Sequence, residues 1–526
     1  MTVAPAPHTT QGRRSVLRAL LLPWLLLAVL GTLWALATPL SGSPDEPAHV
    51  IKAASVVRGQ LLPSEMLATG GVVEVPAAVA HENVLGCFAF HPDVDASCAP
   101  AFEGDPAELV ETTTSASLYN PLYYWVVGWP SLLAPDTAGI YGMRIVSAVL
   151  CAGFLAAAFW MIAGWARSRV PALGALVAVT PLVLYLSATV NPNAVEFTAG
   201  LALFTAMLGI VLHPSPDRLV PRLVLIVVAA TLVSNARGIS PLWVALLLVL
   251  PLVLLRAREV LALLRRPVVI AAIALVVAGA AVSAWWTLSS NSLGTAPSSG
   301  PDVAPPNEGV GLSPLQGFVG QFGDLYNQLR QMIGVLGWLD TTLHPVVYLV
   351  YYALFAVVAV AVVLFVRGRA LVFTALLAAA FLLLPPLIQS FYITRGGYIW
   401  QGRYTLVLLV SLLVGAAAVV AASPRFAAWL ERPRAPRILA VVSWAMAAGW
   451  VFATVFAFAT GLRRVTAGYT AGWGEMLDAA AWQPPLGAVT LLVLYALAAA
   501  GFAVAVLLGV SPTRAHAITP ARSVRG

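Results

Sequence analysis

The sequence predicts an all-α polytopic membrane protein, with about 12 transmembrane helices and interfacial helices in a large first external loop. Three observations lead there. Of 526 residues, 60% are apolar and only 10% charged, and the mean hydropathy is +0.88, far from the balance of soluble domains. Solid Leu/Val/Ala runs, each near the roughly 20 residues needed to cross a bilayer core, recur from Leu20 almost to the C-terminus. These runs lack the period-two alternation of an outer-membrane barrel. A soluble enzyme, a nucleic-acid module and a single-span anchor are thereby excluded.

The first run covers residues 19–40. Arg13, Arg14 and Arg18 before it and Ala35-Leu36-Ala37 at its end resemble a signal peptide, but the apolar stretch exceeds a typical h-region and reads as a retained helix. Residues 41–142 then form the large external loop. Its opening, Ser43-Pro44-Asp45-Glu46, fits a capping box with Ser43 as N-cap, Pro44 at the first helical position and Glu46 at the third. On the helix that follows, Asp45, His49 and Lys52 share a face directed at an aqueous pocket, with Val50, Ile51, Ala54 and Val57 opposite. Cys87 and Cys98 fit a disulfide in this loop, the alternative being a metal site completed by His81 or His91, while Cys151 lies within a span. Asn120-Pro121 opens a second interfacial helix, ended by Pro130 and Pro135.

Eleven further runs follow, at roughly 143–164, 170–189, 194–212, 219–235, 240–255, 268–288, 344–366, 370–392, 404–422, 438–460 and 486–509. Between two of them lies a second large external loop, 289–343. It is Ser/Gly/Pro-rich to 312, and then one amphipathic helix after Ser313-Pro314 carries Leu315, Phe318, Val319, Phe322, Leu325, Tyr326, Leu329 and Met332. With both termini cytoplasmic, the inner side collects 20 of the 29 basic residues and three of the 22 acids. This positive-inside bias places the chain in a plasma membrane as one domain, 1–510, with a basic cytoplasmic tail, 511–526. It also explains the net charge of +7 without nucleic acid as a partner.

Asp45 and Glu46, with His49 one turn on, form the strongest chemical constellation, since carboxylates at a membrane surface suit a general base or metal ligand. Helix capping explains them equally well. Arg144, Arg237, Arg395 and Arg403 offer donor forks for phosphate, the last two flanking the Gly-rich stretch Gly396–Gly402. Arg463 and Arg464 read as snorkelling to lipid phosphate. Asn191-Pro192-Asn193 is ordinary turn chemistry, but Glu196 just after it is an intramembrane carboxylate. Tyr119, Tyr123, Trp125, Trp338, Tyr398 and Trp400 suit sugar stacking or an aromatic belt. No Walker A, HExxH or paired CxxC motif occurs, which weighs against nucleotide-driven transport.

Ser43-Pro44-Asp45-Glu46-Pro47-Ala48-His49, Tyr119-Asn120-Pro121-Leu122-Tyr123-Tyr124, Asn191-Pro192-Asn193 and Gln401-Gly402-Arg403-Tyr404 together resemble the GT-C superfamily of integral-membrane glycosyltransferases. They resemble more closely the actinobacterial membrane proteins of domain-of-unknown-function family 2142. The scarcity of lysine, Lys52 alone, agrees with a GC-rich source. The resemblance implies a GT-C-like fold, a polyprenyl-linked sugar donor, and inverting transfer to an extracytoplasmic glycan, lipid or protein acceptor. It makes Asp45 the base, with Glu46 as second candidate, and leaves a divalent metal open because no complete ligand set is readable. On physical grounds Arg403 and Arg395 would bind the phosphate and His49 would orient the acid, with Gln401, Tyr404, Tyr119, Asn120, Tyr123, Arg237 and Arg144 completing the substrate site. A transporter or flippase of lipid-linked glycans is the main alternative and a non-catalytic envelope protein the next, but ionisable groups near mid-membrane are scarce.

Overall fold

The computed structural model describes residues 10–166, 168–292, 307–478 and 480–509. The tail 511–526, Arg167 and the stretch 293–306 of the second loop lie outside the described residues.

The helices that build the bundle or its ends are α1 (Thr10–Ala37), α2 (Glu46–Val57), α3 (Leu122–Gly128), α4 (Thr137–Trp165), α5 (Val170–Ala178), α6 (Pro181–Ser187), α7 (Asn193–Leu212), α8 (Pro216–Ser234) and α9 (Ser240–Leu254). They continue with α10 (Pro267–Ser289), α11 (Pro314–Gly323), α12 (Leu325–Gly334), α13 (Pro345–Phe365), α14 (Arg369–Gly396), α15 (Leu406–Ala422), α16 (Pro424–Leu430), α17 (Ala435–Ala467) and α18 (Ala488–Gly509). A multi-pass membrane bundle results. Backbone groups in hydrocarbon must bond within their own segment, so apolar runs of this length have no alternative to the helix.

Among the described residues eight helices are long and apolar enough to cross a membrane, or up to ten if the bent pairs α5–α6 and α15–α16 each count as one span. Length and composition among the described residues thus support at most ten of the expected twelve spans. The stretches 219–235 and 240–255 are helical, but α8 carries Asp217, Arg218 and Arg222 in its first two turns and α9 ends in a 3-10 turn at Leu250–Leu254. α7 is the axis of the bundle, buried from Asn193 through Val211 and packed by α4, α8 and α15. α1 lies against α4 and α18.

Without a hydrophobic drive between helices in lipid, close packing rests on small residues. Gly31 brings α1 onto α4, where a Cβ would sit 2.9 Å from that of Ala148. Gly174 brings α5 onto α15, where a Cβ would sit 2.5 Å from that of Ala417.

The first loop departs from the all-helical expectation. It contains a three-stranded antiparallel sheet, β1 (Met66–Leu67), β2 (Gly70–Pro76) and β3 (Leu109–Thr114), whose Val- and Thr-rich strands cover one side of α2. Cys87 and Cys98 are disulfide-bonded in the same loop. The expected helix after Ser313 is two, α11 and α12, parted at Asp324, and Ser313 forms a capping box with Gln316.

Gly174→Val is expected to lower the melting temperature in detergent by an amount equivalent to about 1–3 kcal/mol, because the α5–α15 approach has no slack. A thermal-shift series with Gly59→Ala, where nothing lies within 4 Å of the added Cβ but φ is +90°, separates packing from backbone strain.

Candidate functional site

α1 leaves the bundle at Ala37 and the chain must reverse before α2 begins. Ser41 and Asp45 make the reversal in left-handed backbone, with φ of 58° and 62°. Left-handed geometry at two non-glycine residues within five positions is stored strain of the sort concentrated at functional sites. The helix then starts at Glu46, not Pro44, and its N-cap is Asp45, not Ser43. Asp45 makes no side-chain capping bond, so its carboxylate faces away from the helix and is half exposed.

The adjacent carboxylate has the opposite fate. Glu46 is fully buried, bonded bidentately by Arg144 at 2.7 and 2.5 Å, and accepts from the Val190 backbone N–H at 3.2 Å. The Arg144 guanidinium also donates to Ala35, Thr38 and Pro39 carbonyls at the end of α1. Two expected site residues, Glu46 as second base and Arg144 as phosphate ligand, are thus spent on each other. Both are desolvated and saturated, which gives them a structural part.

Arg403 reaches Asp45 instead. It sits on a 3-10 turn, Gly402–Tyr404, held by Gly402 N–H donating to Gln331 Oε1 at 2.7 Å. A side chain at 402 would collide with the Gln328 carbonyl, 2.6 Å from a Cβ, so the turn can lie against α12 only as glycine. Arg403 Nη2 donates to Asp45 Oδ2 at 2.5 Å, and its Nε is buried with no hydrogen bond. Burial by itself would raise the Asp45 pKa, but the Arg403 charge and hydrogen bond, with Arg237 further off, outweigh it and hold the carboxyl below its ordinary value.

Tyr404 is shared by two cations. The Arg237 guanidinium lies 3.9 Å from its ring centroid and that of Arg403 5.2 Å. Arg237 leaves the α8–α9 connection and is 3.9 Å from Glu196, which is fixed by Ser240 Oγ at 2.6 Å and Asn193 Nδ2 at 3.0 Å. Its Nη1 is buried with no hydrogen bond. Beside it opens a cavity of about 300 Å³ walled by Tyr119, Asn120, Trp286, Trp400 and Tyr404. The Trp286 and Trp400 indoles donate to the Leu118 carbonyl and Thr405 Oγ1, and Asn120 to Asn235 Oδ1, so these polar tips are committed and the walls are aromatic faces.

Other expectations are redirected. The His49 ring makes no hydrogen bond to the Asp45 carboxylate; its Nδ1 pairs with the Tyr124 hydroxyl at 2.7 Å, and burial pushes it down to about 4, so it is neutral at physiological pH. Lys52 faces no aqueous pocket. It is fully buried, donates to the Leu61 and Ser117 carbonyls, and is pushed down to about 8 by burial. Tyr123 is a packing tyrosine bonded to Ser147 and the Asn191 N–H. Arg395 lies in the last turn of α14 rather than in a loop, exposed and without a bond to this cluster. Arg464 does not snorkel but is buried, donating to the carbonyls of Phe88, His91 and Val94 inside the disulfide loop. Gln401 flanks the turn with a buried, unbonded Oε1. Trp286 and Glu196 belong to the site although no motif marked them; Glu196 was visible only as an acid in an apolar run.

A divalent cation does not fit this donor set. Among the described residues no three His, Cys, Asp or Glu side chains gather as ligands, and a guanidinium already neutralises Asp45.

Compared with known sequences, the model of a family described as Predicted membrane protein (DUF2142) matches residues 27–412, a span that contains Asp45, Glu196, Arg237 and Arg403. No curated protein and no solved structure matches the chain.

Removing one partner of the Glu46–Arg144 pair strands the other charge in low dielectric. Glu46→Ala and Arg144→Met are each expected to cost about 3–5 kcal/mol, and Arg144→Lys is expected not to rescue because it cannot donate the fork. Thermal unfolding in detergent reads this. Glu82 supplies a pH test. Burial, then the Glu46 charge, push it up to about 7, against Arg144 and a Ser41 hydrogen bond. A carboxyl whose folded pKa is raised stabilises fully below its unfolded value and loses that stabilisation as pH rises through the folded one. Relative to Glu82→Gln, the parent should therefore lose stability between about pH 5 and about pH 8, by an amount on the order of 1–3 kcal/mol in melting experiments.

Proposed function

The chain belongs to the family of predicted membrane proteins DUF2142, and from that premise we propose that it is an integral-membrane glycosyltransferase. It moves a sugar from a polyprenyl-phosphate donor to an extracytoplasmic glycan, lipid or protein acceptor. One observation carries the reading: a half-exposed carboxylate on strained backbone, Asp45, is held by Arg403, whose guanidinium shares the Tyr404 ring with a second arginine, Arg237, on the wall of an aromatic cavity.

Transfer needs a base for the acceptor hydroxyl and positive charge for the departing phosphate. The acceptor oxygen forms a bond to the anomeric carbon as the bond from that carbon to the phosphate oxygen breaks. Asp45 takes the hydroxyl proton, and Arg403 and Arg237 take up the phosphate charge. The low pKa of Asp45 in the resting ion pair fits this order. A phosphate that draws Arg403 towards itself weakens the Asp45–Arg403 bond and restores basicity to the carboxylate where the acceptor needs it. The aromatic walls suit a sugar ring or an isoprenoid chain. This reading keeps the site extracytoplasmic, in the plasma membrane with both termini inside, and the charge bias of the loops supports that sidedness.

Asp45→Asn is the discriminating variant, since asparagine tolerates left-handed backbone and removes only the charge. In a deletion strain complemented at matched expression, mass spectrometry and linkage analysis of envelope glycans should show wild type restoring one glycosidic linkage. Asp45→Asn and Arg403→Gln should lower transfer about 10²–10⁴-fold, with one polyprenyl-linked sugar accumulating. Full restoration by Asp45→Asn would make the aspartate a turn residue and bring the flippase reading forward.

A further inference from the structure

The end of the bundle away from Asp45 contains a cavity that sugar transfer does not use. α15 starts just after Arg403 and runs 17 residues to Ala422, about 25 Å at the helical rise, so the chain beyond it lies at the opposite end. There α16 turns 64° from the α15 axis. Ser423 caps it, and the same hydroxyl donates to the Phe365 carbonyl at 2.6 Å. α16 thereby lays Phe426 and Trp429 beside Phe365, with ring centroids 5.2 and 5.7 Å away.

Under these rings is a cavity of about 130 Å³, continued by Leu173, Val442 and Met446 and lined by apolar residues throughout. A cavity of this size and lining stays dry and takes up apolar guests. It is not sealed: Val357 of α13 and Ile438 of α17, both on its lining, are 39% and 48% exposed, so it opens sideways between those helices. In a multi-pass membrane protein that opening meets acyl chains.

The chain around the opening is basic. Arg425 precedes the lining residue Phe426, Arg437 precedes Ile438, and Arg432 and Arg434 occupy the turn between α16 and α17. All four are exposed, and none forms an ion pair among the described residues; Glu431 is the one acid in that stretch. An apolar slot open to the bilayer, bordered by a stretch of chain with four exposed arginines against one glutamate, matches one kind of molecule, with an acyl chain for the slot and a negative headgroup for the arginines.

We propose that this cavity binds one acyl chain of an anionic phospholipid whose phosphate is held by Arg425, Arg432, Arg434 and Arg437. The site is independent of the transfer chemistry, and its failure would leave that reading untouched. A zwitterionic lipid fills the slot equally well but gains less from the arginines, so headgroup charge sets the preference.

The test is native mass spectrometry of the full chain released from nanodiscs containing equal amounts of phosphatidylglycerol and phosphatidylcholine with identical acyl chains. Wild type is expected to retain phosphatidylglycerol about tenfold over phosphatidylcholine or more. The exposed triple variant Arg425→Gln/Arg432→Gln/Arg434→Gln, whose packing is untouched, should lose that preference. Ala361→Phe, which fills the cavity and leaves the arginines in place, should lose the retained lipid of either kind, with unchanged melting temperature as the folding check. Equal retention of the two lipids by wild type, or an undiminished preference in the triple variant, would overturn the proposal. Should Ala361→Phe fail to fold, the triple variant alone decides it.

Discussion

Glu46 and Arg144 meet at 2.5 Å with both side chains shielded from solvent, and the geometry around the candidate site depends on that bond. The guanidinium gathers the last carbonyls of α1, the first residue of α2 and α4 itself, while the carboxylate also takes the Val190 N–H from the link into α7. Four segments of the chain are therefore pinned at one point in low dielectric, where an unpaired charge is intolerable. A pair of this kind need not add net stability to be indispensable. Any register of α2 that parted the two would leave a charge buried without its partner.

Pinning Glu46 determines what its neighbour can do. With the first residue of α2 turned into the bundle and α1 ending a few residues before, the chain between them has room only for a tight reversal, and Asp45 takes left-handed backbone to make it. That backbone directs the carboxylate away from the helix terminus, where it would otherwise cap, and towards Arg403. Two adjacent carboxylates thus acquire different environments, one saturated and buried, the other half exposed and held by the Arg403 guanidinium. Tyr404 spaces Arg403 from Arg237, so the second cation stands at the cavity while the first stands at the acid.

Legibility followed the range of the interaction involved. The apolar runs that become α4, α7 and α13 are read directly, because a segment of about 20 apolar residues has one stable form in a bilayer. The helix start at Ser313-Pro314 is read correctly because what fixes it is local, a capping box whose partners are three residues apart. At Ser43 the same local pattern misleads. Glu46 has a better partner 98 positions away, and the buried bidentate bond to Arg144 outweighs a local cap. The sheet β1–β2–β3 is missed for a related reason: β2 and β3 are separated by the disulfide-bonded stretch, and their pairing is not written in either strand alone.

From residue types and their order come the membrane class, the helical spans, the charge asymmetry of the loops, and the short set of polar residues from which a site can be assembled. Those are consequences of transfer free energy and backbone satisfaction, which act on each segment separately. Which carboxylate is free was decided only in three dimensions, as was the withdrawal of Arg144, His49 and Lys52 into bonds of their own and the recruitment of Glu196 and Trp286. Ion pairing and desolvation depend on distances between residues far apart in the chain, and Asp45 and Arg403, 358 positions apart, become neighbours only when the bundle closes.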